Sequence, residues 1–282
     1  MTADHPRPGR ITPDRPLLDA AALSEYARRP GHIWHQISVV ERTGSTNADL
    51  VAQARSGAPE GLVLVAEEQA AGRGRMGRAW ISPPRAALTF SVLLRPDGVP
   101  PARLGWLPLL AGVAAAGALH QASGLDVRLK WPNDVLAGPR KLAGILAETS
   151  GGAVVVGIGL NVSTAPEELP PPGPGALAAT SLLLEGSAGL DRDVLLRRVL
   201  DELERWYLAW RSAASPGDPD GSGLRSEYLR LCSTVGRVVR VELPAGQVIE
   251  GTAADVDAGG RLVVRGPDGP AAIGAGDVRH VR

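Results

Sequence analysis

The chain has 282 residues, 44% of them hydrophobic, and its 30 basic residues are balanced by 30 acidic ones. That length accommodates one large domain plus a small one, and the zero net charge argues against a general nucleic-acid binder, which carries a basic surplus. The single cysteine, Cys232, excludes an intrachain disulfide framework and a cysteine-built zinc site, and it fits a reducing cytoplasm.

Residues 1–16 are Pro-rich and charged, with no apolar leader, and are expected to be disordered. A short helix is expected over 19–28 and a strand over 37–40. TGSTN (43–47) reads as a turn, with Thr46 or Asn47 capping a helix over 48–56. The run 61–69, GLVLVAEEQ, reads as a buried strand that delivers the segment GRGRMGRAW (72–80). A strand over 88–96 is closed by Pro96. The Ala-rich run LPLLAGVAAAGAL, from Leu107, is a buried helix, too short to span a bilayer. VRLKWP and KLAGILAET are strands joined by a turn, NDVLAGPR. AVVVGIGLNV (153–162) is a strand whose glycines suggest close approach of a ligand. The block APEELPPPGPG (165–175) is either a linker or a loop beside a site.

Residues 193–211 form the clearest helix, with Leu195, Val199, Leu203, Trp206 and Trp210 along one face. A second helix follows over 224–231, and Cys232 beside it is expected to pack as a buried residue. From 235 onward, short alternating strands (RVVRVEL, QVIEGTAADV, RLVVRG, DVRHVR) are separated by the turns PAG, DAGG and GPDG, the pattern of a small β-barrel. Strands mixed with helices, without strict βαβ alternation, give an α+β core. The reading is therefore a segment 1–16, a main domain 17–233 and a β-domain 234–282.

Three stretches carry chemistry. In GRGRMGRAW, glycines let the backbone approach an anion, and Arg73, Arg75 and Arg78 offer forked donors for phosphate or carboxylate. The segment contains neither a Walker motif nor a dinucleotide fingerprint. Gly-Arg repeats also occur in RNA-binding segments, so both an anion site and an RNA-binding module stand at this point. In KWPNDVLAGPRKLAGILAE (130–148), Lys130 and Lys141 bracket a Pro-Asn-Asp turn. The bland alternative is a hairpin with solvated lysines. In VGIGLNV, Gly157 and Gly159 open a strand that ends on Asn161.

Together, TGSTN, EEQAAGRGRMGRAW, KWPNDVL, KLAGILAE and GIGLN resemble one family, the biotin protein ligases (biotin–[acetyl-CoA-carboxylase] ligases), over nearly the whole chain. The Ala-, Gly-, Pro- and Arg-rich composition is of actinobacterial type. The resemblance implies a class II synthetase-like mixed sheet with helices plus a small C-terminal SH3-like β-barrel. It also implies the reaction: biotin and Mg-ATP give biotinyl-5′-AMP, and a lysine of a biotin carboxyl carrier domain of an acyl-CoA carboxylase then displaces AMP.

Carried over by motif position, Ser45, Thr46, Asn47, Gln69, Gly72, Arg73, Gly74, Arg75 and Trp80 are implied to line the biotin site, with Gly144 and Gly157 leaving room for the bicycle. ATP would be held by Arg73, Arg75, Arg78, Lys130, Asn133, Lys141 and Asn161. Lys141 would bridge the biotin carboxylate and the α-phosphate, Arg75 would contact the adenylate phosphate, and Asp134 would orient or deprotonate the carrier lysine. No protein metal ligands are implied; Mg²⁺ would travel on the ATP phosphates. Too few residues precede the core for an N-terminal helix-turn-helix, so a monofunctional, cytoplasmic enzyme is expected. It would be a monomer or weak dimer that binds no specific DNA sequence and no membrane. A lipoate ligase is the nearest alternative by resemblance.

Overall fold

The structure is a computed structural model describing residues 15–173, 176–188, 190–244 and 246–281. Its main sheet contains β1 (Gln36–Thr43), β2 (Leu62–Gln69), β3 (Ala87–Leu94), β4 (Val127–Lys130), β5 (Asp134–Ala137), β6 (Arg140–Ser150) and β7 (Ala153–Asn161). The spatial order is β1-β2-β3-β7-β6-β5-β4. After helix α1 (Ala20–Ala27), only β1 and β2 of this sheet pair in parallel, joined by a crossover through helix α2 (Thr46–Arg55); its other pairs are antiparallel. β3 and β7 are buried along their whole length, which is why their sequences read as continuous apolar runs. One face is covered by α2 through Leu50 and Ala54 against Leu64, Leu93 and Val155. The other face is covered by α3 (Trp106–Ser123), which is packed in turn by α4 (Arg192–Arg211). α3 is apolar on all sides because it lies between the sheet and α4.

Several sequence expectations need correction. Neither Thr46 nor Asn47 caps α2; Ser45 does, its Oγ accepting from the Ala48 amide at 3.4 Å. Thr46 and Asn47 lie inside the first turn, and their side chains are directed elsewhere. NDVLAGPR is not simply a turn, since it contains β5, a four-residue strand whose register with β6 shifts between Val135 and Leu136. Four residues are too few to display a period. Of the segment 1–16, residues 1–14 lie outside the described residues. Residues 15 and 16 are tied down rather than disordered: Arg15 pairs with Glu168 at 2.5 Å, and the Pro16 carbonyl accepts from Arg192 at 2.6 Å. Cys232 is half-buried at the end of α5 (Leu224–Leu231).

The C-terminal sheet has five strands: β8 (Val238–Glu242), β9 (Val248–Val256), β10 (Leu262–Gly266), β11 (Gly269–Ile273) and β12 (Asp277–His280). Their order, β11-β10-β9-β8-β12, is open, because β11 and β12 lie at opposite edges and do not pair. The expected barrel is therefore an unclosed antiparallel sheet. Its strand β11 escaped the sequence reading because Gly-Pro-Ala-Ala is a poor strand former. It is an edge strand, where proline is tolerated.

The sheet is fastened to the main core by two indoles. Trp106 Nε1 donates to the carbonyls of Asp257 (3.2 Å) and Ala258 (3.1 Å), and Trp131 Nε1 donates to Gly260 (3.1 Å). One hydrophobic cluster runs from Leu18 through both sheets to Val278. Among the described residues, no helix is long and apolar enough to cross a membrane.

Candidate functional site

The GRGRMGRAW segment is a loop that leaves β2 and contains a short 3₁₀ turn at Arg75–Gly77. The Trp80 amide donates to the Gly72 carbonyl at 2.9 Å and the Gly74 amide to the Arg78 carbonyl at 2.7 Å, so the loop closes on itself. A side chain at Gly72 would run into the Trp80 carbonyl, which explains the glycine there. Met76 and Gly77 turn the tip with φ of 54° and 73°. This leaves Met76 exposed and aims the arginines in different directions. Arg75 turns inward, its guanidinium donating to Asn133 Oδ1 at 3.2 Å, while Arg78 reaches the C-terminal sheet and pairs with Asp277 at 2.6 Å.

Beneath the loop lies a first cavity of about 140 Å³. Its inner end is polar and internally satisfied. Gln69 Oε1 accepts from the Thr46 amide (2.8 Å), Ser91 donates to Asn47 Oδ1 (2.6 Å), and Thr46 and Ser91 hydroxyls meet at 2.7 Å. With the Ser91 proton committed to Asn47, the one Thr46 hydroxyl proton is shared between Ser91 Oγ and Gln69 Oε1, which lies 3.1 Å away. Asn47 Nδ2 donates onward to Glu148 at 2.8 Å. The floor is bare backbone, where Gly144 pairs directly with Gly159 across β6 and β7. A methyl at Gly157 would overlap the Asn47 side-chain oxygen.

At its outer end the first cavity opens onto a second, of about 200 Å³, walled by Pro170, Pro171, Pro172 and Leu177. Lys130, Asp134, Lys141, Arg78 and Trp80 line both. At this junction Lys141 Nζ lies 2.6 Å from Asp134 Oδ1, and Lys130 Nζ lies 3.9 Å from Oδ2. The hairpin register explains the grouping: Lys130 pairs with Asp134 across β4–β5, and an extra residue in β6, Leu142, sets Lys141 opposite Leu136. The segment after the proline block clamps the same strand, with Lys141 N donating to Ala178 O and Thr180 N to Lys141 O, both at 2.8 Å. The proline block therefore lies beside the site.

Burial lowers the pKa of Lys130, an effect to which Lys141 and Arg78 add and which Asp134 and Asp277 oppose. Arg75 is likewise lowered, chiefly by burial. Burial pushes the Asp277 carboxyl up, but the hydrogen bond and charge of Arg78, with Lys130 and Arg279, outweigh it and hold the group below its ordinary value.

Of the residues singled out in the sequence, Ser45, Thr46, Asn47, Gln69, Arg73, Gly74, Arg75, Arg78, Trp80, Lys130, Asn133, Asp134, Lys141, Gly144 and Gly157 line the first cavity. Gly72 does not; it faces a third space of about 830 Å³ on the far side of the loop, bounded by Trp131, Gly260 and Arg261. Asn161 lines only the second cavity, its Nδ2 donating to Thr180 O at 2.9 Å. The sequence reading missed Ser91, Gly159 as a floor residue, and Asp277. Ser91 was detectable, with Thr89, as one of two polar residues inside an apolar strand. Asp277 carries no such signal, since only the tertiary fold brings β12 to the loop.

Residues 39–164 match the biotin/lipoate A/B protein ligase family, and residues 234–281 match the biotin protein ligase C-terminal domain. The chain is 46% identical to a biotin–[acetyl-CoA-carboxylase] ligase of Mycobacterium tuberculosis, over 95% of this chain and 97% of that one. The chain belongs to the biotin protein ligase family. A second ligase of the same description, from Paracoccus denitrificans, is 34% identical over 85% of this chain and 98% of its own. Among solved structures, a biotin protein ligase from Aquifex aeolicus in complex with biotin and ATP superposes with a TM-score of 0.71 at 27% identity, covering 88% of this chain and all of that one.

Proposed function

We propose that the chain activates biotin with ATP as biotinyl-5′-AMP and transfers the biotinyl group to a lysine of a biotin carboxyl carrier domain. The observation that carries this reading is the meeting of two cavities at Lys130, Asp134 and Lys141. The first cavity, a glycine floor with a polar inner end, suits a compact bicycle bearing a urea. The second, walled by prolines and floored by Asn161, suits a nucleoside. Their junction is where a carboxylate and an α-phosphate would meet, and it is cationic.

In the first step a biotin carboxylate oxygen bonds to the α-phosphorus as the bond to pyrophosphate breaks. Lys141, steadied by Asp134, draws the two anions together, and Arg75 neutralises charge on the phosphate. In the second step the neutral amine of the carrier lysine attacks the acyl carbon, AMP leaves and the amine loses a proton. Asp134 Oδ2, whose cation is 3.9 Å away while Oδ1 is engaged at 2.6 Å, is the oxygen free to orient the incoming amine. Arg73, Arg78 and Asn133 complete the phosphate side, and Trp80 covers the ligand. Mg²⁺ would be carried mainly on the ATP phosphates, where it would shield their charge.

The relatives named as biotin ligases favour biotin over lipoate and over the RNA-binding reading. The reading further takes the enzyme to be cytoplasmic, a monomer or weak dimer, with no sequence-specific DNA binding. The zero net charge supports the last point. The test is incubation with ATP, Mg²⁺, radiolabelled biotin and a purified carrier domain, with lipoate in parallel. Label from biotin on the carrier lysine is expected; label from lipoate alone would move the chain to the neighbouring branch.

A further inference from the structure

Trp80 occupies an unusual position in the first cavity. Its indole packs over the Gly144–Gly159 pair of the sheet floor. A Cβ on Gly159 would stand 2.6 Å from Trp80 Cζ2 and 2.7 Å from Nε1, and one on Gly144 would stand 3.3 Å from both Trp80 Cζ3 and Lys141 Nζ. The ring thus spans the two strands, with its N–H edge over Gly159 and its six-membered edge beside the Lys141 ammonium. Nε1 is shielded from solvent and has no hydrogen-bond partner. Among the described residues four buried side-chain polar atoms share that condition, and of these only Trp80 Nε1 belongs to a residue lining the two cavities. A buried donor without an acceptor costs free energy, and one held on a ligand site is explained if the ligand brings the acceptor.

We infer that Trp80 Nε1–H donates to the acyl oxygen of biotin and of biotinyl-AMP, one strand spacing (roughly 5 Å) from the Lys141 ammonium on the phosphate side. Trp80 then positions the acyl group as well as covering it, and Gly159 is the seat that admits the indole. This inference rests on the function proposed above. It assigns no bond making or breaking to the indole, only a hydrogen bond to an oxygen whose negative charge grows when the carbonyl is attacked.

The test uses Trp80→Phe in the full chain and two adenylate analogues. One is an acyl sulfamate that keeps the biotin carbonyl; the other is biotinol-5′-AMP, in which a methylene replaces it. The variant is expected to bind the acyl sulfamate about tenfold more weakly, as loss of one hydrogen bond implies, and to bind biotinol-5′-AMP within about twofold of wild type. Gly159→Ala, which displaces the ring, is expected to erase the same preference for the carbonyl analogue. Equal losses for both analogues in Trp80→Phe, or no loss for either, would overturn the inference while leaving the function intact. A wild-type chain that binds neither analogue would overturn both.

Discussion

The two cavities that meet at Lys141 are built by opposite means. The first is cut into regular sheet, with β6 and β7 supplying a glycine floor and the Gln69–Thr46–Ser91–Asn47–Glu148 chain of hydrogen bonds filling its inner end. Each of those side chains is fixed by another, so the shape stands ready before any ligand arrives. The second is walled by an irregular proline loop and by β12 of the C-terminal sheet, and its cations Arg78, Lys130 and Lys141 face the carboxylates of Asp134 and Asp277 in ion pairs. Rigid strands suit recognition of one acid by shape. Ion pairs, which can be exchanged for phosphate contacts, suit a site that must admit ATP and release pyrophosphate.

The largest effect should come from the junction itself. Lys141→Ala is expected to slow pyrophosphate release by about 10²–10³-fold, the range for removing one preorganised charge from a transition state. Biotin affinity, read by calorimetry, should move only a few-fold. Equal losses in rate and affinity would mean that Lys141 serves the first cavity and not the meeting of the two.

Gly157→Ala should come next, because the new methyl collides with Asn47, which is held by Ser91 and Glu148 and has little room to yield. Overpacking of this kind costs about 1–3 kcal/mol. The loss should appear in biotin affinity while binding of ATP alone is unchanged. An effect on both ligands would break the division between the cavities.

Lys130 permits a pH test of the second cavity. Its folded pKa is lowered, chiefly by burial, so the ammonium is present at low pH and is lost on raising pH sooner than for an ordinary lysine, near ~10.4. If Lys130 steadies the triphosphate, KM for ATP should climb on the alkaline side before that range is reached. Lys130→Arg, which keeps its charge, should push the rise to higher pH. A profile identical in the two proteins would restrict Lys130 to supporting the turn.

The smallest expected effect is that of Asp277→Asn. Arg78 is 59% exposed, and an exposed pair is worth about 0–1 kcal/mol. Releasing Arg78 to the phosphates should lower KM for ATP by less than about fivefold and leave biotin binding unchanged. A rise in KM would instead mean that Asp277 holds Arg78 in its working position.

The same contrast governs what could be read from the sequence. Regular elements were legible because their periods are long: α5 falls on Leu224–Leu231 as expected, and α4 begins one residue earlier than expected. The motif residues of the first cavity were legible because they lie on or beside those elements. The second cavity was legible only in part: Arg78, Lys130, Asp134, Lys141 and Asn161 lie in motifs, but Asp277 and the 176–180 segment reach it only through tertiary contacts, across 199 residues in the case of the Arg78–Asp277 hydrogen bond. The open C-terminal sheet was hidden for a related reason. Alternation shows that strands pair but not whether the first and last of them meet.

The most direct test of this account is a crystal structure with biotin and ATP, or with the acyl sulfamate analogue of biotinyl-AMP. The account predicts the bicycle at the inner end of the first cavity beside Asn47, with Trp80 kept on the Gly144–Gly159 pair, the adenosine against Pro170–Pro172, and the phosphate between Lys141 and Arg75. An adenosine bound instead in the space behind the loop, between Trp131 and Gly260, would contradict it.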